Sequence, residues 1–211
     1  MFYHTIPSSV DDTRFLHYLF WSFGPCIDEF KYCKPVINID ETHLYGKYQG
    51  KLLIAMTTDA NNKVFLLAFV IVDCESGSNW GWFLECLRDT IKNEIPVKDI
   101  CIISDQHIGI KNTIAAWPRD ENGRTRVFYK YCLRHVASNF KTHFQDSILK
   151  SLALKAGYAT QAINFDNIME SIKQVEIEAI RNNIKVKGKN GGEKSYAPYT
   201  YLMSKSMDMW T

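Results

Sequence analysis

No two of the six cysteines, Cys26, Cys33, Cys74, Cys86, Cys101 and Cys132, stand in a CxxC pair, and several sit inside apolar runs. Small buried thiols in a reducing compartment fit this usage better than a disulfide framework. No apolar run approaches the roughly 18 residues of a membrane span. The first residues, MFYHTIPSSVDDTRF, lack the basic-then-apolar order of a signal peptide. Cytosol or nucleus is the expected setting. Neither charge sign dominates: 25 Lys and Arg face 23 Asp and Glu, for a net charge of +2. That balance is too mild to mark a nucleic-acid binder by itself. Nor is there an internal repeat.

What is present suits a folded core. The 211 residues are 46% hydrophobic, 13% aromatic and 23% charged, which excludes wholesale disorder and fits one domain, or one with an appendage. RFLHYLFWSFGPCIDEF reads as a short helix breaking at Gly24-Pro25. PVINID, KLLIAMTTDA and VFLLAFVIVD read as three strands joined by short Gly and Asn turns, an antiparallel meander whose third member is central. Trp80, Phe83, Leu84, Leu87 and Ile91 recur at helical spacing behind a cap at Ser78 or Asn79. DICIISD is a fourth strand, IGIKNTIAAW a helix stopped by Pro118, and VFYKYCLRHVASNFKTHF a fifth strand turning helical near Cys132. Residues 146 to about 183 are helical, KVKGKNGGEKSYAP reads as a solvated linker, and YTYLMSKSMDMW opens another apolar segment. This order predicts an α/β, ribonuclease H-like fold: a mixed five-stranded sheet flanked by helices, with a helical C-terminal extension. The expected divisions are a lead-in over 1–30, the core over 31–145 and the helical extension over 146–211.

Two of those strands end in acids, Asp40 and Asp105, 65 residues apart. In the predicted fold the first and fourth strands are neighbours, so the two carboxylates meet. Close carboxylates repel unless a cation lies between them. Mg²⁺ or Mn²⁺ suits such oxygen ligands, and paired ions about 3.5–4 Å apart drive phosphodiester chemistry. The competing reading is that each Asp caps a strand end, where turns favour it. Asp59 reads as a turn residue, Asp73 and Glu75 as solvated, and Glu41 as pointing away from Asp40 if the strand continues.

Cys132 and His135 are three apart at the start of a helix and so share a face. Thiolate and imidazole suit zinc, but a structural zinc takes four ligands and no second pair has finger-like spacing. A buried thiol beside a hydrogen-bonded histidine explains the pair equally. His43 and His107 each follow an acid-bearing strand, as cleft-lining residues or as turn histidines.

The motifs PVINIDETHLYGKYQGKLLIA, DANN, ESGSNWGWFL, ISDQHIGI and YCLRHVASN occur in an order that resembles the transposase domain of plant Mutator-like elements (MULEs). The resemblance runs from about Phe15 to Phe165. It implies a ribonuclease H-like nuclear enzyme that cuts and joins DNA at transposon ends with Mg²⁺ or Mn²⁺, through an Asp-Asp-Glu triad. It matches Asp40 to the first acid and Asp105 to the second, and Cys132 and His135 to a Cys-x-x-His motif before the final Glu. Zinc at that motif, DNA as partner and a homo-oligomer are compatible with it; a membrane is not expected. Three positions depart from the family pattern: Glu41 stands for Gly, Gln106 for Arg and Leu67 for Pro. No residue matches the segment carrying the final Glu, so the expectation is a catalytic core inactive alone. The alternative is a non-enzymatic domesticated protein, similar to the far-red-response transcription factors, that binds DNA or protein. Lys47, Lys51, Arg134, Lys141 and the KVKGKNGGEK stretch are candidate phosphate contacts.

Overall fold

The computed structural model describes residues 1–7, 14–47, 49–95, 99–187 and 192–210. It divides into two compact units, Met1–Tyr129 and Lys130–Thr211. No helix among the described residues is long and apolar enough to cross a membrane.

The first unit is built on a mixed sheet. The strands of that sheet are β1 (Phe2–Pro7), β2 (Arg14–Trp21), β3 (Val36–Leu44), β4 (Gly50–Thr58), β5 (Val64–Val72), β6 (Ile100–Ser104) and β7 (Val127–Tyr131), the last two residues of β7 being the first of the second unit. They are ordered β1-β2-β5-β4-β3-β6-β7. The helices are α1 (Gly24–Glu29), α2 (Gly77–Ile91) and α3 (Ile108–Ala115). The sheet thus has seven strands where five were expected. The meander β3–β4–β5 and the parallel pairing of β3 with β6 are present. The surplus is β1 and β2.

RFLHYLFW is therefore a strand, not the helix expected at its position. Its side chains alternate with the period of two that a strand imposes. Tyr18 and Phe20 turn towards α2, with ring centroids 5.3 Å from Trp82 and 6.3 Å from Phe83 respectively. Trp21 turns the other way and stacks on Phe69 of β5 at 5.2 Å. Aromatic residues favour such pleated, half-buried surfaces, and β2 covers the edge that β5 would otherwise leave open.

α2 buries Trp80, Phe83, Leu84, Leu87 and Ile91, the stripe its spacing predicts. The cap is Ser76, whose side chain accepts from Asn79 N at 3.1 Å, rather than Ser78 or Asn79. Asp59 holds its turn as expected, its Oδ1 accepting from Asn61 N and Lys63 N, both at 2.8 Å. None of the six cysteines is in a disulfide.

The second unit contains α4 (Leu133–Phe144), α5 (Ser147–Gly157), α6 (Ala162–Arg181), β8 (Lys185–Lys187), β9 (Glu193–Ser195) and α7 (Pro198–Met203). Val136, Phe140, Phe144, Leu149, Met169, Ile172 and Leu202 form its core. Asp146 separates α4 from α5. Its Oδ1 accepts from Ile148 N at 2.7 Å and Leu149 N at 3.1 Å, satisfying two donors that a helix start leaves open. The expected solvated linker is partly structured: β8 and β9 pair antiparallel from Lys185↔Ser195 to Lys187↔Glu193. The linker's central residues, 188–191, lie outside the described set.

Candidate functional site

The parallel ladder between β3 and β6 pairs Val36 with Cys101, Ile37 with Ile102 and Asn38 with Ile103. Each partner lies 65 residues on. Asp40 lies two residues beyond the last pair on β3, and Asp105 follows Ser104, the last residue of β6, in the turn before α3. Paired residues of neighbouring strands point to the same face, and faces alternate along each strand. Ile37, Ile39 and Ile102 are buried in the core shared with α2. Asn38, Asp40 and Ile103 therefore belong to the opposite face, and the Asp40 and Asp105 carboxylates are both half-buried.

One part of the sequence reading needs correcting. β3 does not end at Asp40; it continues to Leu44, paired with β4 through Leu44↔Gly50. What ends is the ladder on its other side, at Asn38↔Ile103. Asp40 thus sits on a continuous strand, just past the point where the pairing with β6 stops.

The backbone holds both carboxylates. Asp40 Oδ1 accepts from Glu41 N at 2.9 Å, and Asp105 Oδ1 accepts from His107 N at 3.1 Å. The Tyr129 hydroxyl donates to the Asp105 carbonyl at 2.6 Å, which ties this turn to β7. His107 then caps α3, its Nδ1 accepting from Gly109 N at 3.1 Å. Nδ1 is thereby an acceptor, and the ring proton of the neutral form lies on Nε2.

Behind the acids, on the α2 face, lies a charged network that the sequence reading missed. Glu41 points away from Asp40, as alternation requires. Its Oε1 is 2.5 Å from Lys51 Nζ. Lys51 Nζ also lies 3.7 Å from Glu75 Oε2. Glu75 Oε1 accepts from Trp80 Nε1 at 3.1 Å and is 4.0 Å from His107 Nε2. The network thus runs from the neighbour of Asp40 to the turn that holds Asp105. Glu75 is not the solvated residue expected, and Lys51 is engaged by acids rather than free for phosphate.

Burial pushes the Glu75 carboxyl up. Hydrogen bonding with Trp80 and Glu41 and the charges of Lys51 and His107 outweigh it and hold the group below its usual range. The hydrogen bond to Glu41 raises Lys51 in turn. Glu41 and Lys51 could have been paired from the strand register, once β3 was allowed to continue. Nothing local marks Glu75, because its partners come from β4, α2 and the start of α3. A cleft of about 430 Å³ opens beside the network, lined in part by His43, Tyr45, Lys51, Asp73 and Glu75. A larger cavity, about 640 Å³, is lined by Arg88, Trp117, Arg119 and Arg126 and holds neither carboxylate.

Asp40 and Asp105 offer hard oxygen donors, the donor type that Mg²⁺ and Mn²⁺ prefer. Among the described residues, no cluster of three or more His, Cys, Asp and Glu side chains is arranged to hold a metal. Two carboxylates are fewer than the six oxygens that Mg²⁺ takes, so water or substrate oxygens would have to supply the remainder. In the second unit, Cys132 is the N-cap of α4 without a side-chain capping bond, and His135 lies in its first turn. His135 Nδ1 is buried without a hydrogen-bond partner. Two donors alone do not fit a structural zinc, which takes four.

No curated protein matches the chain. Residues 36–139, which include Asp40, Asp105, Cys132 and His135, match the family model of the MULE transposase domain.

Proposed function

We propose that the sheet end carrying Asp40 and Asp105 is the divalent-metal site of a transposase-type, ribonuclease H-like core acting on DNA in the nucleus. The observation that supports this reading is the parallel β3–β6 ladder, whose 65-residue offset, continued two residues past its last pair, would bring Asp40 and Asp105 side by side. The adjacency of the first and fourth strands of the expected core supports it, as does the family match across both acids. When bound, Mg²⁺ or Mn²⁺ would supply Lewis-acid activation of a water or 3′-hydroxyl and of the scissile phosphate. Asp40 and Asp105 would hold it through carboxylate oxygens kept in place by the Glu41 and His107 amides. The Glu41–Lys51–Glu75 ion pairs lie on the other face of the sheet, behind Asp40.

No third carboxylate joins the pair among the described residues. The reading is of a chain that binds metal and DNA without completing strand transfer alone. Calorimetric titration with Mg²⁺ and Mn²⁺ tests the site. Wild type binds, and Asp40→Asn and Asp105→Asn each weaken binding by at least tenfold. Equal binding in all three would remove the metal reading. Nicking of terminal-repeat DNA by the 211-residue chain would show that the core is sufficient for cleavage.

A further inference from the structure

The modest net charge of the chain conceals a division. Met1–Tyr129 holds 13 Lys and Arg against 16 Asp and Glu, a net −3. Lys130–Thr211 holds 12 against 7, a net +5. The excess in the second unit is concentrated further. From Leu133 to Gly157, across α4 and α5, the charged residues are Arg134, Lys141, Lys150, Lys155 and a single acid, Asp146. Asp146 is already engaged, capping α5 and accepting from the Tyr196 hydroxyl at 3.2 Å.

Both units contain cations paired with acids: in the second, Lys173 lies 3.6 Å from Glu170 and Lys185 2.9 Å from Glu193. In the first unit Lys51, Arg88, Arg124 and Arg126 all pair with carboxylates. Among the described residues, the side chains of Arg134, Lys141, Lys150 and Lys155 make no ion pair and no hydrogen bond. Arg134 and Lys141 are exposed. Seven residues apart on a helix of 3.6 residues per turn, they lie on one flank with Ser138 between them, while Val136, Ala137, Phe140 and Phe144 face the core. At 1.5 Å per residue they stand about 10 Å apart along the axis. That is about three base-pair rises of duplex DNA along its axis, at 3.4 Å each.

We propose that the Arg134–Ser138–Lys141 flank of α4 is a docking surface for the phosphate backbone of duplex DNA. The surface lies on the basic helical unit and not on the acidic sheet that carries the carboxylates. Exposed cations without acid partners are free to replace the counterions of a phosphate strand, and the Ser138 hydroxyl adds a neutral donor of the kind found at such contacts. The inference rests on DNA being the partner, as proposed above, but not on metal binding or cleavage.

The test is equilibrium binding of the full chain to a labelled DNA duplex across a salt series, with EDTA present so that metal plays no part. Arg134→Gln and Lys141→Gln should each lower the slope of log K against log salt by about 1, and the double variant by about 2. Arg124→Gln, which removes a cation already paired with Asp99, should leave the slope unchanged. Slopes for Arg134→Gln and Lys141→Gln equal to wild type would overturn the proposal, as would absence of duplex binding at low salt. Dependence on the two residues for an acidic polypeptide but not for the duplex would assign the flank to a protein partner and also overturn it. A failed metal titration with these slopes intact would count against the catalytic reading alone.

Discussion

Lys51 and Glu41 are joined across the β3–β4 pair at 2.5 Å, on the face of the sheet turned away from Asp40. The pair explains how an additional acid is tolerated beside a candidate metal ligand. Strand alternation sends the Glu41 carboxylate to the α2 side, where an ammonium neutralises it. Lys51 is the hub of this network because it also reaches Glu75. Removing it would leave two half-buried carboxylates facing each other.

Lys51→Met is therefore expected to destabilise the protein by about 1–3 kcal/mol, between the values for exposed and buried ion pairs. Adding Glu41→Gln should recover part of that loss, since the contacting residues are coupled. Urea midpoints of the single and double variants check this. Additive losses would mean that the two side chains do not interact.

Glu75 gives a pH signature. Its folded pKa is held below the ordinary value of 4.5. A depressed acid stabilises the fold above its unfolded pKa, and that contribution disappears as pH falls through the folded one. Wild type should therefore lose stability more steeply than Glu75→Gln as pH drops below about 4.5. Urea midpoints between neutral and acidic pH measure it. Parallel profiles would show that Glu75 carries no such stabilisation.

Gly109 lies where α3 begins to pack on the start of α2. A Cβ there would stand 2.7 Å from the Gly77 Cα and 3.1 Å from the His107 ring. The nearest obstacle is backbone and cannot rotate away. Gly109→Ala should cost about 1–3 kcal/mol, as overpacking does, and disturb the cap that orients His107. Thermal unfolding gives the cost. Unchanged stability would show that the two helix starts separate readily.

In the second unit, Asp146→Ala removes the cap of α5 and should cost about 1–2 kcal/mol. It should also move Tyr196. Burial, and then the Asp146 carboxylate, push that phenol up to about 12. Without the carboxylate it should fall but stay above its usual value of 10.0, because burial remains. An NMR titration of the Tyr196 ring follows the change. An unmoved pKa would show that burial alone sets it.

The parts of the fold visible in the sequence were those with strong periodicity. The buried stripe of α2, the apolar β4 and β5 and the Asp59 turn each carry a local pattern that packing reinforces. β2 was misread because an aromatic-rich run without clear turn residues fits a short buried helix or strand equally well. What decided it was β5, a long-range partner. Asp40 and Asp105 could be named from their strands, but the parallel pairing of β3 with β6 is a long-range contact that no local pattern specifies. Glu75 illustrates the same limit: beside Cys74 and Ser76 it resembles a loop acid, and only folding brings Lys51, Trp80 and His107 to it.

The constant 65-residue offset of the β3–β6 ladder has a consequence for how this domain tolerates insertions and deletions. One residue gained within Ile100–Ser104 would turn Asp105 towards the α2 core and bring a neighbour out in its place. Two would restore its face but displace it by a full pleat repeat along the strand. The same change in the Asp59–Lys63 turn would leave the pairing of β3 with β6 untouched. Length variants of this chain that keep the site should therefore cluster in the turns and spare the five residues before Asp105.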